Sequence, residues 1–238
     1  MKKIIGIIAL VLSAHTLTIG QTTTKDMRED KKPSKDFFML HLSYDGWNQA
    51  ETDITTKFNR GIGAYINYDF PLAGKEDNKF SFAIGIGVSS SNIYFDKMIP
   101  TLKTSSESLS FVEKDSTTRN YKLNTAYLEA PLELRFYSNP YNRNKGFKVA
   151  IGAKIGYNVS TALKYKSEVQ LTGTDTRYLM TEKEKSMRFT NQWKFAPTFR
   201  IGYGNFSVFG SYNVTTLFKE GRGPEITPFQ IGLCISGL

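Results

Sequence analysis

From Phe37 onward, bulky apolar residues recur at every second position, and the positions between them are small, polar or charged. A period of two marks β-strands whose two faces meet different surroundings. Between Phe147 and Lys166 the odd positions read Phe147, Val149, Ile151, Ala153, Ile155, Tyr157, Val159, Thr161, Leu163 and Tyr165. The even positions carry Lys148, Lys154, Lys164 and Lys166 among Ala, Gly, Asn and Ser. Phe80, Phe82, Ile84, Ile86 and Val88 oppose Ser81, Ala83, Gly85, Gly87 and Ser89 in the same way, and the split returns in Phe189–Gly204 and Phe229–Ile235. The pattern predicts about eight strands, near 37–47, 58–72, 80–97, 120–138, 146–167, 186–204, 206–218 and 226–238. Pro131, inside the fourth, removes a ladder donor and predicts a bulge or bend. Connections alternate between short (73–79, 139–145, Gly204-Asn205) and long (48–57, 98–119, 168–185, 219–225).

Periodicity alone does not say which face is inside. A soluble ligand-binding barrel keeps its bulky side chains within, whereas a membrane barrel turns them to lipid and keeps polar groups in the lumen. The Gly, Ala and Ser of the non-greasy face suit a crowded lumen and would make an odd water-facing surface. The expected fold is therefore all-β: an eight-stranded antiparallel up-and-down transmembrane β-barrel with short periplasmic turns and longer extracellular loops. Aromatic residues gather near strand ends, as interfacial girdles require. Tyr68, Phe70, Phe80, Phe82, Phe136, Tyr137, Phe147, Tyr203 and Phe206 are expected at the periplasmic interface. Tyr44, Trp47, Tyr94, Tyr121, Tyr165, Phe189 and Phe218 are expected at the outer one.

The N-terminus reads as a secretory signal peptide over residues 1–20: Met1-Lys2-Lys3, an apolar run from Ile4 to Leu12, then Thr18-Ile19-Gly20 before Gln21. Nine apolar residues span about 14 Å as a helix, half of a hydrocarbon core, which argues against an anchor. Residues 21–36 are polar and carry Pro33, as a flexible periplasmic arm would, and 37–238 form the barrel domain. The expected location is the bacterial outer membrane.

Composition then limits the chemistry. One cysteine, Cys234, and two histidines, His15 and His41, leave no disulfide framework and little for metal or triad sites. No catalytic residue, cofactor site or metal site is expected. His41 reads as a hydrogen-bonded filler of the lumen, and glycines 61, 63, 85 and 87 as lumen-facing strand positions rather than a phosphate cradle. Face assignment places Asp45, Asp69, Glu129, Glu133, Arg135, Lys148, Lys154, Lys194 and Arg200 inside. An eight-stranded bore is only wide enough for side chains to fill it. Unpaired buried ions are costly, so a closing ion-pair network is expected, with a small ion channel as the alternative and a lipid-modifying enzyme at the rim a lesser one. The formal charge is +9. Arg60, Lys97, Lys122, Lys164, Lys166 and Arg188, with Arg119, Lys185, Lys219 and Arg222, should crowd the outer rim. There, lipid headgroups such as lipopolysaccharide phosphates are natural partners. Nucleic acid is not an expected partner. Loops 98–119 and 168–185, and the arm, are candidate contact surfaces for a protein.

The stretch Tyr127-Leu128-Glu129-Ala130-Pro131-Leu132-Glu133-Leu134, followed by Arg135, resembles the PorT-like outer-membrane β-barrel family of the Bacteroidota. The early Gly-rich strands and Ile151-Gly152-Ala153-Lys154-Ile155-Gly156-Tyr157 extend the resemblance over about residues 37–238. It implies an outer-membrane barrel domain and a location, with no enzymatic activity attached. The expected role is that of a structural or protein-interaction subunit.

Overall fold

The computed structural model describes residues 37–49, 54, 56–74, 78–102, 104–113, 118–170 and 177–237. The signal peptide and arm expected over residues 1–36 lie outside them. Among the described residues eleven strands follow in chain order: β1 (Phe38–Gln49), β2 (Arg60–Pro71), β3 (Phe80–Tyr94), β4 (Met98–Pro100), β5 (Phe111–Glu113), β6 (Thr118–Tyr137), β7 (Phe147–Gln170), β8 (Arg177–Lys185), β9 (Trp193–Tyr203), β10 (Phe206–Tyr212) and β11 (Ile226–Ser236).

Eight of them form a closed antiparallel ring in the order β6-β3-β2-β1-β11-β10-β9-β7, with β7 returning to β6. The first and last strands pair from Met39↔Ser236 to Gln49↔Ile226, so the ring has no open edge. Bulky side chains face outward. Ile62, Ile86, Val88, Ile151, Val159, Phe199, Val208, Ile231 and Leu233 are all at least half exposed, a greasy wall that only lipid would cover. Small residues on the inner face let large ones fill the bore. A methyl on Gly87 would lie 2.3 Å from the Tyr65 ring and 2.4 Å from the Ala64 carbonyl, so that ring requires a glycine beside it. The tight Tyr203–Phe206 hairpin uses Gly204 at φ +60, a backbone conformation glycine adopts without strain.

Three expectations on faces and strand ends are corrected. First, the odd face of β7 is not continuous. Ala126 pairs with Ser160 but Tyr127 with Asn158, so Val159 is an extra residue, a β-bulge. Beyond it the two faces exchange: Leu163 is buried and Lys164 turns outward. Second, of the bulge or bend expected at Pro131 the bulge is absent, although the ladder to β3 lapses there as a missing donor predicts. The β3–β6 ladder omits the Gly85 and Ile86 positions and resumes in unchanged register, Ile84↔Leu132 and Gly87↔Glu129. Third, the strand expected over 186–204 begins at Trp193, and β8 lies in the expected loop 168–185. It pairs along the outer part of β7, from Ala162↔Lys185 to Gln170↔Arg177, whereas β9 occupies the inner part from Phe147 to Tyr157.

The outer girdle is corrected as well. Tyr121, Phe189 and Phe218 are buried, and they join Ile54, Ile93, Phe95, Ile99, Leu102, Leu109, Leu123, Leu163, Leu217 and Ile226 in an apolar cluster, with Trp47, Phe111 and Tyr165 packed against it. These residues lie at the outer strand ends and in the loops beyond them, where no lipid covers apolar surface, so they bury one another. The ring pairs Trp47–Phe95 (5.6 Å), Phe95–Phe111 (6.1 Å) and Phe111–Phe218 (6.5 Å) run through it, and Tyr165 stacks on Tyr121 at 4.6 Å. The short β4–β5 hairpin belongs to this cap. The outward belt keeps Tyr44 of the expected girdle and adds Tyr157, Trp193 and Tyr212, with Tyr157 edge-on to Trp193 at 5.1 Å. At the periplasmic end, Tyr137 is buried rather than interfacial.

Candidate functional site

All nine charged residues assigned to the lumen are buried there. Alternation places them: each sits on the inward parity of its strand, and β3, β6, β7 and β9 bring them to matching heights through their register. Two clusters result. Toward the periplasm, Asp69 accepts from Arg135 Nη1 at 2.8 Å and from Arg143 Nη1, and the Tyr137 hydroxyl donates to it at 3.3 Å. Glu133 Oε2 accepts from Arg135 Nε at 2.7 Å and from Arg200 Nη2 at 2.9 Å, which joins strands β2, β6 and β9. Lys148 donates to Ser236 Oγ at 2.6 Å.

Nearer the outer end, Glu129 is the hub. Its carboxylate accepts from the Tyr65 hydroxyl at 2.6 Å, from the Ser89 hydroxyl at 2.6 Å and from Lys194 Nζ, while Lys154 Nζ stands 3.9 Å away. Both ammonium groups lie over aromatic faces, Lys194 over Tyr127 at 4.5 Å and Lys154 over Tyr65 at 5.3 Å. Asp45 is held by hydroxyl and amide donors rather than by an ion pair, from Ser43 at 2.5 Å and Gln230 at 3.1 Å. His41 stacks on Phe209 at 4.1 Å, and neither ring nitrogen has a hydrogen-bond partner, so it is packed filler rather than the hydrogen-bonded one expected.

Sequence reading missed Arg143. It lies in the polar turn 139–145, where nothing in the pattern marks it, yet its side chain is buried. It reaches Asp69 and stacks over Tyr137 at 4.5 Å, closing the periplasmic mouth. Between the ionic interior and the apolar cap lies a cavity of about 20 Å³, lined by Asp45, Ser89, Thr125, Lys194, Asn213 and Leu217 among others. That volume holds about one water molecule. The chemistry available is therefore charge compensation. Both oxygens of Glu129 are already engaged by donors, so that carboxylate is not poised to take a proton from an incoming substrate.

The expected rim cations divide. Lys122, Lys164 and Lys166 project from the outward wall beyond the aromatic belt, joined by Lys183, which sequence reading did not single out, by Lys185, and by Arg60, which pairs with Tyr44 of the belt and reaches its guanidinium over the Tyr94 ring. Lys97 lies in the turn after Phe95, and Arg188 packs over Phe189 at 5.4 Å and donates to the Thr104 carbonyl at 3.4 Å, both within the cap region.

No curated protein sequence matches the chain. Among solved structures, the crystal structure of Ail, the attachment invasion locus protein of Yersinia pestis, aligns over 84% of this chain and 96% of that one, at 11% identity and a TM-score of 0.40. Ail in complex with the heparin analogue sucrose octasulfate aligns at the same coverage and identity with a TM-score of 0.35. The family model for the outer membrane protein beta-barrel domain matches residues 43–222, most of the chain, from within β1 to just before β11. With greasy outer wall, ionic bore and closed antiparallel ring in agreement, the chain belongs to the outer membrane protein beta-barrel domain family and is an outer-membrane protein.

Proposed function

We infer that this barrel is sealed and non-enzymatic, and that it acts as a structural or protein-interaction subunit exported through a cleaved signal peptide. The observation that carries this reading is the double closure of the bore: an ion-paired interior beneath an apolar cap in which Phe95, Phe189, Phe218 and Ile226 are almost wholly buried. A hydrated pore needs a continuous polar path, and the cap interrupts it. Loop 98–119, one candidate contact surface, spends Ile99, Leu102, Leu109 and Phe111 on that cap. The protein-contact surface therefore moves to β8, where Tyr178, Leu179 and Met180 are exposed. The motif Tyr127–Arg135 supports a PorT-like assignment within the family, and its Glu129, Glu133 and Arg135 are all lumen residues.

The test is conductance of the purified chain in planar bilayers. No stable unitary steps are expected. Reproducible open-channel current that disappears in a Glu129→Gln variant would refute the sealed barrel and establish the channel. Extraction in mild detergent followed by identification of stoichiometric co-purifying protein tests the subunit role. That protein should be lost when Tyr178, Leu179 and Met180 are replaced by Ser.

A further inference from the structure

Beyond the aromatic belt, the outward wall of β2, β3, β6, β7 and β8 carries a row of cations that the sealed interior does not use. On β6 the outward positions run Leu128, Ala126, Asn124, Lys122, and the register continues each level onto β7 as Tyr157, Ser160, Ala162, Lys164. Lys164 in turn faces Lys183 of β8, with Ala162↔Lys185 and Lys166↔Thr181 beside it. On the other flank Tyr94 pairs with Lys122, and its ring has Lys122 Nζ at 5.5 Å and the Arg60 guanidinium at 5.8 Å. Three lysines thus stand directly opposite one another across three strands, an arrangement that costs stability in an ordinary surface sheet. Partial burial, then Lys183, Lys122 and Lys185 in turn, lowers the Lys164 pKa below its ordinary value.

The carboxylates that would relieve this repulsion are present but face the other way. In Thr181-Glu182-Lys183-Glu184-Lys185 the pleat sorts charge by side. Lys183 and Lys185 point outward, while Glu182 and Glu184 accept from the Tyr165 hydroxyl on the opposite face at 2.8 and 3.1 Å. Glu168, two positions past Lys166, is the acidic residue on the outward face of this β7–β8 hairpin among the described residues. The wall therefore grades upward from hydrocarbon-type side chains to a hydrogen-bonded amide and hydroxyl zone, where Asn124 donates to Ser90 at 2.8 Å and to Asn92 at 3.2 Å, and then to ammonium groups.

Height identifies the occupant. Leu128 pairs with Tyr157 at the belt. Lys122, six residues further, lies about 20 Å along a strand, or about 14–16 Å along the membrane normal at the usual barrel tilt. An ordinary headgroup layer is only about 5–8 Å thick. We propose that Arg60, Lys122, Lys164 and Lys183, flanked by Lys166 and Lys185, form a docking face for the phosphate groups of an outer-leaflet glycolipid, whose saccharide headgroup carries phosphate to that height. The proposal rests on the membrane-barrel reading, since only a barrel seated in lipid holds this wall against headgroups.

The experiment titrates the full chain, in nonionic detergent, with lipopolysaccharide bearing its phosphates and with the same material after enzymatic dephosphorylation. Phosphorylated lipopolysaccharide is expected to bind, and a Lys164→Gln/Lys183→Gln variant to bind about 30-fold more weakly, roughly fivefold per lysine. A Lys164→Arg/Lys183→Arg variant should retain affinity, and heat-shifted gel mobility should show all variants folded. Equal affinity for the dephosphorylated lipid, or an unchanged Kd in the Gln variant, overturns the proposal. So does a sulfated polysaccharide whose binding depends on these lysines when that of lipopolysaccharide does not, for the face would then serve a soluble polyanion. A chain that stays soluble and folded without detergent would instead fail the barrel reading beneath it.

Discussion

Glu129→Gln is the most direct test of how the bore is held together. The carboxylate is the shared counter-ion of Lys194 and Lys154, and it also accepts from Tyr65 and Ser89. Glutamine keeps the shape and one acceptor oxygen but turns its amide NH₂ toward groups that themselves donate. Among the described residues, six buried cations (Arg135, Arg143, Lys148, Lys154, Lys194, Arg200) then face three buried carboxylates in place of four (Asp45, Asp69, Glu129, Glu133). Removing one partner of a buried ion pair costs about 3–5 kcal/mol, because the surviving charge stays buried without its counter-charge. The folded-to-unfolded ratio should fall by about two to three and a half orders of magnitude. The assay is equilibrium urea unfolding of the chain in lipid vesicles, followed by the fluorescence of its two tryptophans and by gel mobility. Adding Lys194→Met should recover much of the loss, with a coupling energy of about 0.5–3 kcal/mol. A single variant within about 1 kcal/mol of the parent, or a double variant no more stable than the single, would refute the counter-ion argument.

Three further outcomes follow from the same geometry. Phe218→Ala should destabilise the cap by about 3–5 kcal/mol and expose the outer loops to added protease while heat-shifted gel mobility stays that of a closed ring. Deleting Val159 removes the extra residue and leaves a regular ladder with Leu163 still inward and Lys164 outward, whereas deleting Val159 and Ser160 together would turn Lys164 inward and Leu163 and Tyr165 outward. Hydrogen exchange across 162–170 and 177–185 should stay slow in the single deletion and rise to that of an unfolded segment in the double one, while 147–157 remains protected in both. Lys164 should lose its proton below the ordinary lysine range when titrated by NMR of labelled side chains, and Lys183→Gln should move it back up. Because the folded value is the depressed one, the charged form is the less favoured in the fold. Its penalty is present at neutral pH and is relieved as pH rises through the depressed value toward the unfolded one.

The ring strands and lumen charges were legible because lipid and bore impose opposite demands on alternate positions, and those demands are written in residue size as well as polarity. Asp69, Glu129, Glu133 and Arg200 were found that way. The bulge was not legible, since Val159, Leu163 and Tyr165 are apolar on both sides of it and one inserted residue leaves no compositional trace. The cap was misread for a related reason. Tyr121, Phe189 and Phe218 are the residue types of an interfacial girdle, and only their height beyond the belt sends them inward. Strand β8 hid because its alternation is between Glu and Lys rather than between apolar and polar. Arg143 carried no signal at all: a basic residue in a polar turn is ordinarily solvated.

Strand β7 changes neighbours along its length, from β9 inside the membrane to β8 beyond it, while β6 accompanies it throughout. Closure of the ring and projection of the hairpin are consequently separate tasks carried by one strand. Substitutions along β8, or a longer tip, leave the ring's ladder untouched, so this arm can change what it contacts without cost to closure. The same partition suits it to display: a foreign epitope spliced between Gln170 and Arg177 would be carried clear of the bilayer on a scaffold whose insertion does not depend on it.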